Sequence, residues 1–202
     1  MIDHLVVTAP TLAAGVEYVR RSLGVAMEVG GSHPRMGTHN ALLGLGPSTY
    51  LEVLAIDPSA PAPDRPRWFG LDACVEPRLS AWVARVDDIA SVSAPGGDVS
   101  EMTRGTRRWL ITIPRDGRMP WDGVAPAWIQ WLSEPHPALT LRDSGCALVA
   151  LRGFHPDADG LRAALPEHFF DPRWVLASIP AGEPPALVAD FHTPGGPRRL
   201  GA

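Results

Sequence analysis

The apolar run Leu5-Val6-Val7 gives way to Leu12, Val16, Val19 and Leu23, so the hydrophobic pattern changes from contiguous to one position in every three or four. That change predicts a strand over residues 2–8 and an amphipathic helix over 12–23 with one face on a sheet. Pro10-Thr11 supplies the turn and an N-cap, and Gly24 supplies the stop. Val25 to Val29 reads as a short strand, Gly30-Gly31 and His33-Pro34 break the chain, and Thr38–Leu45 and Tyr50–Ile56 read as two more strands about Gly46-Pro47. Residues 1–57 thus form a β-α-β-β-β module.

The two-residue period of a strand sorts its side chains by face. His39, Ala41 and Leu43 share one face, and Tyr50, Glu52 and Leu54 share another. Glu52 sits at the centre of an otherwise apolar strand, where a lone carboxylate is costly unless it is paired or binds a metal. It therefore lies on a solvated face, pairs with an arginine, or belongs to a site; the module as read puts it on one concave sheet face with His4. His4 has its own ordinary reading, as a capped histidine at a strand start.

Residues 58–78 are dense in proline and read as a connector carrying one aromatic pair, Trp68-Phe69. The β-α-β-β-β order then returns over 79–134, with strands at Leu79–Val86, Arg107–Ile113 and Ala127–Leu132 and a short helix starting at Asp87-Asp88. Aligning Leu12 with Ile89 puts Ala81 where His4 stands. Aligning Tyr50-Leu51-Glu52 with Trp128-Ile129-Gln130 puts Gln130 where Glu52 stands. Residues 135–202 predict a third, β-α-β-β unit packed on the same body, with strands at Ala147–Arg152, Trp174–Ile179 and Ala186–Phe191 and a helix at Asp157–Leu165. It has no glutamate at a strand centre, and its His155 and His192 fall at strand ends that suit solvated turns.

Composition narrows the function classes. The net charge is -4, and the basic residues are 18 arginines with no lysine. This excludes lysine Schiff-base chemistry and gives no broad positive field for nucleic acid, the Arg104, Arg107, Arg108 cluster being a local exception. No apolar run approaches the ~18 residues of a membrane span. Met1-Ile2-Asp3-His4 runs directly into apolar sequence without a basic leader region, so a cytoplasmic location is expected. Cys74 and Cys146 stand far apart without metal-binding spacing and read as buried, inert thiols. No GxSxG elbow, P-loop, GxGxxG or HExxH sequence occurs.

Asp3-His4-Leu5-Val6-Val7, Leu23-Gly24-Val25, the stretch from Gly31 through His33-Pro34 to His39-Asn40-Ala41, and Tyr50-Leu51-Glu52 together resemble the glyoxalase-like domain of the vicinal oxygen chelate superfamily. Trp128-Ile129-Gln130-Trp131 before His136-Pro137, and Ala189 to Gly196, are similar to a longer form of that domain. The resemblance implies an α+β fold, paired β-α-β-β-β modules forming a cupped mixed sheet around a small-molecule pocket. In its metal-dependent members a divalent ion is held by a His or Gln on the first strand and a Glu on the last strand of each module. By that pattern His4 and Glu52 are the ligands here, for Zn²⁺, Fe²⁺, Mn²⁺ or Ni²⁺. Ala81 departs from the pattern and Gln130 is a neutral, weak ligand, so His39 or His136 would complete the set.

The site expected from this reading has Glu52 as the catalytic group, His4, Glu52 and His39 on a metal, and His33, His39, Asn40, Trp128 and Gln130 against a substrate. Three functions fit it: a metal-dependent lyase, isomerase or dioxygenase acting on a small oxygen-rich molecule; a metal-free binding or sequestration protein; and a structural or regulatory homodimer whose cup is filled by protein.

Overall fold

The structure is a computed structural model and describes residues 1–92, 96–167 and 169–201. Its first module comprises β1 (Ile2–Thr8), α1 (Leu12–Leu23), β2 (Glu28–His33), β3 (Thr38–Gly44) and β4 (Tyr50–Ile56). The second comprises β5 (Arg78–Arg85), β6 (Asp98–Arg104), β7 (Arg107–Ile113) and β8 (Ala127–Trp131). All eight strands form one sheet in the order β2-β3-β4-β1-β5-β8-β7-β6. Each half repeats the same pairing, because β1 runs parallel to β4 and β5 parallel to β8, and the halves join through antiparallel β1 and β5. The expected α+β, cupped mixed sheet is therefore the fold. Strand β6, which the sequence pattern did not single out, completes the repeat.

The sheet curls until its two edge strands approach one another. Arg35, just past β2, donates from Nη1 to the Glu101 carbonyl of β6 at 2.8 Å, and Arg104 at the end of β6 reaches Asn40 of β3. The concave face inside this curl carries Val6, Leu54, Ala81, Val83, Ile111 and Ile129 as one buried apolar cluster.

The convex face is covered differently in the two halves. Over the first, α1 is capped by the Thr11 side chain, which accepts from the Ala14 amide at 3.2 Å, and is ended by Gly24 at φ 74°. Gly15 lets this helix lie close on β4, since a Cβ there would stand 2.4 Å from Val53 Cγ1. Over the second half, the described residues of the segment expected to be helical form a 3₁₀ turn, Ile89–Ser91. Its place is taken by a second sheet, β10-β9-β11-β12, formed by β9 (Ala147–His155), β10 (Trp174–Ser178), β11 (Ala186–Thr193) and β12 (Gly196–Gly201), with α2 (Ala158–Ala164) between β9 and β10. Leu151, Ala189 and Phe191 of this sheet join Trp82 and Trp128 in the larger core, and the Trp82 and Trp174 rings lie 4.5 Å apart. Here β9 runs parallel to β10, the next strand along the chain, whereas the parallel pairs of the large sheet join the first and last strands of each module.

Candidate functional site

The polar residues of the cup begin at an irregularity in β1. Pairing of β1 with β5 shifts register between Ile2 and His4, and a bulge of this kind re-aims the residue within it. Consecutive residues of a regular strand point to opposite faces, yet Asp3 and His4 meet. His4 Nδ1 lies 2.7 Å from Asp3 Oδ1. On the other oxygen, His136 Nε2 lies at 2.9 Å and the Trp131 indole donates at 3.0 Å. Because the Ala138 amide donates to His136 Nδ1, the His136 proton sits on Nε2 and points at Asp3. Asp3 is fully buried; burial alone would raise its carboxyl, but the hydrogen bonds from His136 and His4 overcome this and hold it well below the ordinary carboxylate range. An ionised Asp3 can only accept, so His4 carries a proton on Nδ1 and turns Nε2 to the cup.

Glu52 faces that nitrogen. Its Oε2 is 3.6 Å from His4 Nε2, beyond a direct hydrogen bond, and its Oε1 accepts from Asn40 Nδ2. The Asn40 amide is fixed in turn, since Oδ1 accepts from the Gly31 amide at 2.7 Å and from Arg104 Nη1 at 3.2 Å. His33, at the end of β2, lies 3.4 Å through Nε2 from the same Arg104 Nη1 and 3.2 Å through Nδ1 from Thr38 Oγ1. Burial first, and the Arg104 charge second, push its pKa down to about 3, so it is neutral and accepts at Nε2. One asparagine therefore divides the cup into an acidic end at Glu52 and a basic end at Arg104.

The walls are aromatic. Tyr50 stacks on His4 with ring centres 4.5 Å apart, and Trp109 and Trp131 stand on the opposite half of the sheet. Trp68 and Phe69 of the proline-rich connector close the remaining side. Their turn is held by a clip in which Asp72 accepts from the Arg67 amide and guanidinium at 2.8 and 2.7 Å. Phe69 adopts φ 58°, a strained conformation for a bulky residue that persists only where its surroundings impose it. The free volume left inside is about 20 Å³, room for about one water.

Of the residues singled out from sequence, His4, Glu52, Asn40 and His33 meet in this cavity. Three do not. His39 alternates with Asn40 and lies on the outer side, beside Leu12, Val16 and Ile56, so it cannot join His4 and Glu52 on a metal or a substrate. Gln130 turns away from the cup and accepts from the Ile89 amide at 3.0 Å, while Trp128 is packed in the larger core. The alignment with Tyr50-Leu51-Glu52 was one residue out of phase, since Ile129 and Trp131 are the residues of β8 that line the cup. His136 stands behind Asp3 rather than in the metal position. Asp3, Tyr50, Arg104 and the Trp68-Phe69 pair were not identified as site residues; the only sequence signal for Asp3 was its place beside a strand-start histidine.

Among the described residues no group of three or more His, Cys, Asp or Glu side chains could hold a metal ion. His4 Nε2 and Glu52 Oε2 are spaced acceptably for two ligands of one ion, but catalytic zinc sites use three protein ligands. The positions around this pair hold a guanidinium, an amide already committed through its N–H to Glu52, aromatic side chains, and the His33 imidazole, whose Nε2 lies against Arg104 at 3.4 Å. The donor set does not fit a resident divalent metal.

Two β-α-β-β-β-like halves curled about a central cavity define the vicinal oxygen chelate class of protein. The chain belongs to the glyoxalase-like domain family, whose model matches residues 2–169. A hypothetical protein from Staphylococcus aureus shares 14% identity over 80% of this chain and 72% of its own, with a TM-score of 0.53. Methylmalonyl-CoA epimerase from Mycobacterium tuberculosis aligns at 18% identity over 66% of this chain and 88% of its own, with a TM-score of 0.42. A Streptomyces coelicolor methylmalonyl-CoA epimerase in complex with 2-nitronate-propionyl-CoA aligns at 19% identity over 68% of this chain and 98% of its own, with a TM-score of 0.45. No curated protein matches. At these identities the likeness is one of fold.

Proposed function

We propose that the protein is an enzyme of the isomerase or lyase type that moves a proton on a small oxygen-rich substrate, with His4 and Glu52 as the proton-handling pair. The observation that carries this reading is the buried array Asp3, His4 and Glu52 opening on one cavity. Asp3 holds the Nδ1 proton, so Nε2 is the basic nitrogen, and the imidazolium formed when Nε2 takes a proton lies against an anionic carboxylate. Glu52 is aimed by Asn40 and stands 3.6 Å from His4 Nε2, so a substrate group beside the pair meets both. The aromatic walls keep bulk water from the pair, which strengthens every charge interaction inside.

The test is exchange of solvent deuterium into C–H acidic 2-oxo acids, 2-hydroxyaldehydes and hydroxy acids, followed by NMR with wild-type protein and Glu52→Gln. Gln retains an oxygen for Asn40 but has no base. The expected result is exchange by the wild type that falls about 100-fold in the variant, within the usual range of a general acid or base. Exchange at the buffer rate for every compound sinks the reading. The aromatic lining favours a second reading, metal-free binding or sequestration, for which saturable quenching of tryptophan fluorescence without exchange is the signature.

A further inference from the structure

We infer that the cup recognises a small planar carboxylate, its carboxylate seated on Arg104 and the Trp68 indole N–H and its reacting end on His4 and Glu52. This rests on the proposed proton-transfer site and names its substrate class. Arg104 is a cation in the cavity wall, and its partners are neutral: Asn40 Oδ1 at 3.2 Å and His33 Nε2 at 3.4 Å, both through Nη1. Other arginines of the chain are paired with carboxylates, as Arg67 is with Asp72 and Arg108 with Glu101, the latter carboxylate three residues before Arg104 on the same strand. A guanidinium carries five donors in a fork that matches a carboxylate bidentately, and here only Nη1 makes a hydrogen bond among the described residues.

A second donor stands at the same end. Trp68 is 4% exposed, lines the cavity, and packs edge-on against His33 with ring centres 5.1 Å apart. Its Nε1 is buried without a hydrogen-bond partner. A buried donor left unpaired carries an uncompensated desolvation cost, and an arriving oxygen acceptor removes that penalty. Arg107 Nε, across the β6–β7 turn, is likewise buried and unpartnered. The opposite end is anionic at Glu52, so a ligand's carboxylate is directed to Arg104 and its proton-bearing group toward Glu52. The aromatic walls select a flat body. With room for about one water, a ring enters only as the aromatic walls part around it, which ties tryptophan fluorescence to binding.

The experiment is fluorescence titration of the full chain with benzoate and with benzamide, its neutral isostere. Wild type is expected to bind benzoate at least tenfold more tightly. Arg104→Gln, its fold checked by circular dichroism, is expected to abolish that preference, and Trp68→Phe to weaken benzoate several-fold. Equal affinity for the two probes in wild type overturns the inference, as does a preference that survives Arg104→Gln. The two proposals fail separately. Deuterium exchange confined to neutral substrates overturns the carboxylate class and leaves proton transfer standing, whereas a benzoate preference without any exchange supports the anion seat and removes the reaction.

Discussion

The two halves of the large sheet share one strand topology and divide the cup's chemistry unequally. The first module supplies His4, His33, Asn40, Tyr50 and Glu52; the second supplies Trp109, Ile111, Ile129 and Trp131, with Arg104 as its one charged contribution to the lining. Outside, the contrast continues, with a helix over the first half and a second sheet over the other. A repeated backbone therefore does not imply a repeated site. Polar groups are affordable in one half because each is hydrogen-bonded there, while the other half provides the low-dielectric wall that makes those bonds strong.

This comparison can be broken most forcefully by putting a carboxylate into the apolar half. Ile129→Glu places a charge without a donor of its own in a side chain 1% exposed, and a loss of about 3–5 kcal/mol in urea denaturation is expected. A loss below about 1 kcal/mol means the second half accepts charge and the contrast is wrong. Next in size is Asp3→Asn, which removes the anion shared by His4, His136 and Trp131 and is expected to cost about 2–3 kcal/mol at neutral pH. The Asp3 carboxyl titrates lower folded than unfolded, so its stabilisation is present above its ordinary value of 3.8 and is lost below it. The difference between wild type and variant should therefore shrink in acid; a gap that stays constant from pH 7 to pH 3 contradicts the assignment.

His33 sharpens the same contrast through pH. Above its ordinary value of 6.5 both folded and unfolded chains are neutral there, and between 6.5 and about 3 only the unfolded chain takes the proton. Stability should fall as pH drops across that window by at most about 1.4 kcal/mol per pH unit from this group, and His33→Gln should flatten the slope. Equal slopes for both proteins would mean His33 is not held neutral. The smallest effect expected is none: dialysis against EDTA should leave the melting temperature and any deuterium exchange unchanged, because two donors do not hold a resident ion. A melting temperature lowered by several degrees would place a metal between His4 and Glu52 after all.

The sequence by itself determined α1 with its Thr11 and Gly24 ends, the strands β1, β3 and β4, and the sharing of one face by His39, Ala41 and Leu43, although it assigned His39 to the site and ended the second strand at Val29 where β2 runs Glu28–His33. These follow from local periodicity and capping, which are properties of neighbouring residues. It also carried the repeat, although β6, with Asp98, Ser100 and Glu101 among its seven residues, has too little apolar character to be read as a strand. Tertiary structure alone decided the rest. The phase of β8 depends on its ladder with β5 and β7, and a one-residue slip exchanges Ile129 and Trp131 for Trp128 and Gln130. Asp3 enters the site through a bulge visible only in its pairing with β5. Arg104, Trp68 and Phe69 arrive from the far edge and the connector, brought to His33 by the curl of the sheet, and no spacing along the chain encodes a curl.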